Sequence, residues 1–253
     1  MQAKTQAGVL SWALAAVLVV SLALYVLTKF VLLALIVLAA FLALVFLDVA
    51  PQKWDKQSIK TAAKEVGVAV GVAVAVWAGL IVFLQTPSPI DTVTSCSMVP
   101  VLDRGDLILV QGGEIKAPKI RFSGSFPKIM VRKTSCVKEA GGQQIPWQCT
   151  SEVIVGSQSF GFNSSNDIIV FDTPTHGLVV HRAWLALENE SSVFFITKGD
   201  NNYGLDQEGG IDFVEKSKLH GKVVARLPYV GFLKLFLFGE FTEPPGCNIR
   251  IRQ

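Results

Sequence analysis

The chain has 253 residues, 51% of them hydrophobic, with a mean hydropathy of +0.46 and 17% charged residues. That is too apolar for an ordinary soluble domain, where charge approaches about a quarter of the residues. Net charge is only +3 and no basic block is large enough for a nucleic-acid footprint, so nucleic acid is set aside as a partner.

The apolar excess lies before Gln85. Gly8 to Leu27 is an almost unbroken apolar run, and Val31 to Leu47 follows at once, with Lys29 at the break. About 20 helical residues cross the hydrocarbon core of a bilayer, so the first run is long enough and the second is near the lower limit. Gly67 to Leu84 is a third candidate span, free of charge and ended by Pro87 and Pro89. A cleaved leader is the rival reading of the first run. It needs a short apolar region and a small-residue cleavage site, and the second run following so closely favours a helical hairpin. A buried core helix is the rival for the third run, against which its lack of charge argues.

Lys53, Lys56, Lys60 and Lys64 crowd the short segment between the second and third runs, which keeps that segment cytoplasmic. The N-terminus, with Lys4, is then also cytoplasmic, and the third span carries everything after it to the outer side. Lys29, in the outer turn, is one exception against four lysines. The expected organisation is an N-terminal transmembrane hairpin over 1–50, a cytoplasmic loop over 51–64 and a third transmembrane helix over 65–86. A β-rich domain over 87–228 and an apolar tail over 229–253 complete it.

Short runs rich in Val, Ile and Phe, separated by Gly, Pro, Asn and Asp, predict strands over 106–110, 129–132, 153–155, 167–171, 178–180, 193–197 and 222–227. No long helical period intervenes, so the outer domain reads as mainly β, with mostly antiparallel sheets. Cys136 and Cys149 flank a stretch poor in apolar residues. A disulfide there closes a loop of about 14 residues and is worth about 3 kcal/mol in the chain-entropy model; two free thiols are the alternative. Cys247 lies far along the chain and Cys96 stands between two serines. The cysteines and histidines do not combine at metal-ligand spacing; no metal or organic cofactor is implied. Asn163-Ser164-Ser165 and Asn189-Glu190-Ser191 are glycosylation sequons. The tail segment from Val230 to Phe238 is too short to span a bilayer. Its phenylalanines suit either an interfacial segment or a core strand.

Three blocks carry chemistry: Ser95-Cys96-Ser97-Met98, Val180-His181-Arg182 and Thr197-Lys198-Gly199-Asp200-Asn201-Asn202. Amide hydrolysis by a serine needs a base, a group to orient that base, and donors for the oxyanion. Of the three histidines, His181 ends an apolar run and is presented by a strand, His176 sits in an expected turn, and His220 precedes another strand. Spacing alone leaves the base open. Asp106 reads as strand-entry structure.

The three blocks, in this order behind a membrane anchor, resemble signal peptidase I of the archaeal and endoplasmic-reticulum type. The resemblance covers most of the outer domain. It implies Ser97 as nucleophile, His181 as base and Asp206 as its acidic partner, with Ser95 in an oxyanion role and Asp200 as a supporting acid. The bacterial branch uses a lysine base; His181-Arg182 stands where that lysine is expected, so the chain is similar to the histidine branch. Glycine is more usual at the position of Cys96 and Glu at that of Val99, and Val99 at a pocket rim would bear on cleavage preference. Two spans before the usual anchor are atypical. The implied activity is a membrane-bound serine endopeptidase that removes signal peptides from preproteins at the outer face of the membrane, which in an archaeal cell is the plasma membrane. The expected partners are preproteins, the lipid bilayer and, through the N-terminal hairpin, other membrane proteins. A related peptidase with one dedicated substrate and an inactive membrane-anchored binding module are the alternatives.

Overall fold

A computed structural model describes residues 2–28, 31–49 and 56–252, without the side chains of residues 2–8, 26, 31, 34, 46, 48 and 49. Lys29, Lys53 and the side chain of Lys4 therefore lie outside the described residues, as do residues 51–55 of the expected loop. The chain divides into two compact units, one of Met1–Leu80 with Leu233–Glu243 and one of Ile81–Phe232 with Pro244–Gln253.

The first unit is helical. Helix α1 spans Gln2–Thr28, α2 spans Val31–Val49 and α3 spans Lys56–Leu84, its last turn belonging to the second unit. Helices α1 and α2 pack on each other. Tyr25 is fully buried; its hydroxyl donates to the Phe241 carbonyl at 2.8 Å and its ring meets Phe236 edge-on at 4.5 Å. Among the described residues only α3 is long and apolar enough to cross a membrane. None of the most apolar 18-residue stretch of α3 is buried. The described apolar stretches of the other two are shorter, Val9–Tyr25 and Leu35–Val45. Three helices stand where three spans were expected, and one meets the length criterion. Helix α3 also begins at Lys56, inside the segment expected as a loop. Its first turns, KQSIKTAAKE, are built mostly of Lys, Gln, Ala and Glu, which favour helix whatever their polarity.

The second unit is mainly antiparallel β. In chain order its strands are β1 (Ile90–Thr92), β2 (Leu107–Gln111), β3 (Lys119–Arg121), β4 (Ile129–Ala140), β5 (Gln143–Val155), β6 (Gln158–Gly161), β7 (Ile168–Thr173), β8 (Gly177–Glu188), β9 (Val193–Lys198), β10 (Val214–Glu215), β11 (Leu219–Leu227) and β12 (Ile249–Arg252). The larger sheet runs β1-β2-β11-β7-β8-β9-β10, with β3 added parallel to β8; the smaller runs β12-β4-β5-β6. Strand β8 is central and buried from His181 to Leu187. Apolar clusters lie around it: Ile169, Phe171, Ala183, Ala186 and Phe195 in one, Val153, Trp184, Leu185, Leu187 and Ile196 in the other.

Two sequence readings change here. Strands β4 and β5 form one long hairpin, paired from Ile129 with Val155 to Ala140 with Gln143, where only short strands at its base were expected. Residues 132–135 are exposed and polar, so the middle of β4 carries no apolar signal. The turn is Gly141-Gly142, both with positive φ, as a two-residue hairpin turn requires. Cys136 and Cys149 form a disulfide across this hairpin. The tail segment is no core strand: Phe232–Leu237 is a short helix, α4, with Phe232, Leu235 and Phe236 buried and Leu233, Leu237 and Phe238 exposed. Buried side chains three and four apart are a helical period, which a count of phenylalanines does not register.

Candidate active site

Ser97 sits in a run of turns between β1 and β2 rather than in a strand. Next to it Met98, 1% exposed, is inserted among Val93, Leu102, Ile108, Val110 and Val170. The Met98 carbonyl accepts from the N–H groups of Val101 and Leu102 at 2.9 and 3.0 Å, which tightens the turn. The Ser97 carbonyl accepts from the Asn201 N–H at 2.7 Å. Gly199 is required beside it, because a Cβ there would stand 2.7 Å from that carbonyl oxygen. Strand β8 presents His181, and Asp206 opens a 3-10 helix over Asp206–Gly209 after β9.

These three side chains form one hydrogen-bonded line. His181 Nε2 lies 2.9 Å from Ser97 Oγ, and His181 Nδ1 lies 2.6 Å from Asp206 Oδ2. With the proton on Nδ1, the ring donates to the carboxylate and accepts from the serine hydroxyl, the direction of proton flow that activates a serine. His181 and Asp206 are 7% and 5% exposed, whereas Ser97 is half-buried and Ser95 exposed, so the line opens to solvent at its serine end. Ser95 Oγ is 3.1 Å from Ser97 Oγ. The Thr197 hydroxyl donates to Asp206 Oδ2 at 2.6 Å, so one carboxylate oxygen serves both the ring and the threonine.

Asp200 is not in this line. It takes a two-pronged ion pair from Arg182, Nε to Oδ1 at 2.9 Å and Nη2 to Oδ2 at 2.6 Å, with both side chains buried. Arg182 Nη1 also donates to the carbonyls of Ser164 and Asn166. A planar guanidinium bonded on all sides fixes the backbone of β8 beside His181. Lys198, 1% exposed, lies over the Phe162 ring at 5.7 Å and donates to the Gly199 carbonyl at 3.3 Å. Burial pushes its ammonium down to about 8, against the pull of Asp200 and Asp206.

Of the expected residues the fold brings Ser95, Ser97, His181 and Asp206 together and sets Asp200 one layer behind. Val99, expected at the pocket rim, is 6% exposed and buried instead. His176 lies in the turn between β7 and β8, and His220 pairs with Asp172 at 2.7 Å. Thr197, Lys198, Arg182 and Asn201 lay inside the chemical blocks of the sequence without an assigned part. Cys247, bonded to Cys96, had no sequence signal, since pairing does not follow from spacing. Among the described residues no group of three His, Cys, Asp or Glu is placed to hold a metal.

No protein-family model matches the chain. The signal peptidase complex catalytic subunit SEC11 of Fusarium vanettenii is 30% identical over 164 residues, covering 64% of this chain and 70% of that protein. The chain belongs to the signal peptidase catalytic subunit family. Other members similar to it are SEC11 of Verticillium alfalfae, 29% identical over 68% of this chain and 76% of its own, and SEC11C of Canis lupus familiaris, 26% identical over 74% and 76%. Within this signal peptidase family member, the serine, histidine and aspartate line lies in the second unit.

Proposed function

We propose that this signal peptidase family member is a membrane-anchored serine endopeptidase that removes signal peptides from preproteins on the non-cytoplasmic side of the membrane. The observation that carries the reading is the unbroken line from Ser97 through His181 to Asp206. Ser97 Oγ attacks the scissile carbonyl as His181 Nε2 takes its proton. Asp206 holds the ring and stabilises the imidazolium. The Ser95 hydroxyl and the Ser97 N–H act as the oxyanion donors. His181 then protonates the leaving amine, and a water, deprotonated by the same ring, releases the acyl-enzyme. Asp200 acts through Arg182 as a positioning residue.

Helix α3 is the anchor, with α1 and α2 as two further spans and Lys56, Lys60 and Lys64 on the cytoplasmic side. An anchor confines the search to the bilayer surface and raises the effective concentration of membrane-tethered substrates. The relatives are named as subunits of a signal peptidase complex. Hairpin α1–α2 is the surface of this chain offered to such a partner.

The test is cleavage of a preprotein by the detergent-solubilised protein beside Ser97→Ala. Cleavage at one site, abolished by the substitution, is expected; cleavage that persists removes Ser97 as the nucleophile. His181→Ala is expected to abolish cleavage as Ser97→Ala does; a His181→Ala enzyme with the wild-type rate points to a different base.

A further inference from the structure

The nucleophile segment is held from a distant part of the chain. Cys96, between Ser95 and Ser97, is disulfide-bonded to Cys247, 151 residues on. Just beyond Cys247, strand β12 is fixed along β4, from Ile249 with Ala140 to Arg252 with Val137. Asn201 ties the two pieces together: Nδ2 donates to the carbonyls of Cys96 at 3.1 Å and Ile249 at 2.9 Å, and Oδ1 accepts from the Ile251 N–H at 2.9 Å. The Asn201 N–H meanwhile holds the Ser97 carbonyl. Residues 95–97 belong to no strand ladder, so nothing regular fixes the Ser97 hydroxyl toward His181. Cys96 and Cys247 are both half-buried, whereas Cys136 and Cys149 are 6% and 1% exposed. A small thiol in solution reaches the first disulfide more readily.

We infer that the Cys96–Cys247 disulfide is a strap that holds Ser97 in register with His181, so that peptidase activity depends on its oxidised state. The inference rests on Ser97 as nucleophile. Dithiothreitol delivers two electrons and two protons, turning the bond into the Cys96 and Cys247 thiols while closing to its own cyclic disulfide. The freed segment keeps Met98 in the core but lets Ser97 leave the Nε2 acceptor. Cys247 and Cys96 are positioning residues in this scheme, since neither touches the reacting atoms.

The experiment uses the full-length protein in detergent and a preprotein substrate. Dithiothreitol is expected to lower kcat at least tenfold with KM within twofold, at a temperature where circular dichroism is unchanged, and oxidised glutathione restores the rate. Cys247→Ala, which leaves Ser95 to Met98 untouched, shows the same loss without thiol. Cys96→Ala/Cys247→Ala loses no more than Cys247→Ala and is insensitive to thiol, because either change breaks one bond. Cys136→Ala/Cys149→Ala keeps both rate and thiol sensitivity. A Cys247→Ala enzyme with the wild-type kcat overturns the strap. Should that variant fail to fold, an unchanged kcat in wild-type protein whose Cys96 and Cys247 alkylation shows to be reduced overturns it equally. Ser97→Ala separates the two readings: residual cleavage there removes the nucleophile assignment, whereas its silence beside a fully active Cys247→Ala removes the strap alone.

Discussion

Asp206 Oδ2 accepts from both His181 and Thr197, so the carboxylate that orients the ring is itself oriented by a hydroxyl. Thr197→Val keeps the shape of the side chain and removes that donor. A charge-assisted bond of about 1.4 kcal/mol converts to about a tenfold loss of kcat/KM, with Thr197→Ser retaining most of the activity, measured on a preprotein. Lys198 instead costs the fold stability when it is charged. Its folded value, near 8, lies below that of the unfolded chain, so between the two the unfolded state binds more protons and stability rises with pH. Comparing urea midpoints of wild type and Lys198→Met at pH 7.5 and 9.5, wild type should gain about 2 kcal/mol on the variant. Ser97, His181 and Asp206 could be singled out because three short blocks occur in a family order, and the fold brings their side chains together. Thr197 was not, because its target lies nine residues on, across the end of β9 and a loop that no periodicity describes.

The 3-10 helix that begins with Asp206 is short, and an element of this length has too few internal bonds to hold itself. Glu208 fastens it to the β4–β5 hairpin. Its carboxylate accepts from the Thr150 hydroxyl and the Leu205 N–H and pairs with Lys133 at 2.8 Å. Burial pushes that carboxyl up, but the Lys133, Thr150 and Leu205 contacts outweigh it and hold it below its usual range. The stabilisation is therefore present above the unfolded value and lost as pH falls through the lowered folded one. Glu208→Gln should lower Tm by about 2–4 °C at neutral pH, with the two proteins converging in acid, as followed by thermal unfolding at several pH values. At this scale the sequence exposed the apolar, buried strands well: 106–110 became β2 and 193–197 became β9 with ends shifted by one residue. It failed where a strand is solvated, as in the middle of β4, and where pairing gives the edge strands their identity. Residues 249–252 of β12, alternating Ile and Arg, were read as part of an apolar tail although they complete the smaller sheet.

On the scale of the whole chain, apolar runs of span length and short alternating strands are different periods, and the structure divides into a helical and a β unit. The sequence boundaries did not anticipate that residues 233–243 belong with the helices while 244–253 return to the sheets. A topology test is available: Lys60→Cys in intact cells should resist a membrane-impermeant maleimide and label only after lysis, whereas labelling in intact cells would invert the orientation. In the chain-entropy model the Cys96–Cys247 closure, spanning 151 residues, is worth about 5 kcal/mol, against about 3 kcal/mol for Cys136–Cys149, spanning 13. The same spans set a timetable during synthesis. At roughly 5–20 residues per second, Cys247 emerges roughly 8–30 s after Cys96. Through that interval Cys136 and Cys149 arrive within roughly 0.7–3 s of each other and, being hairpin neighbours, pair first. Early oxidation of the local pair removes the two competitors and leaves Cys96 for its late partner, so a newborn chain carries its serine long before it can cut.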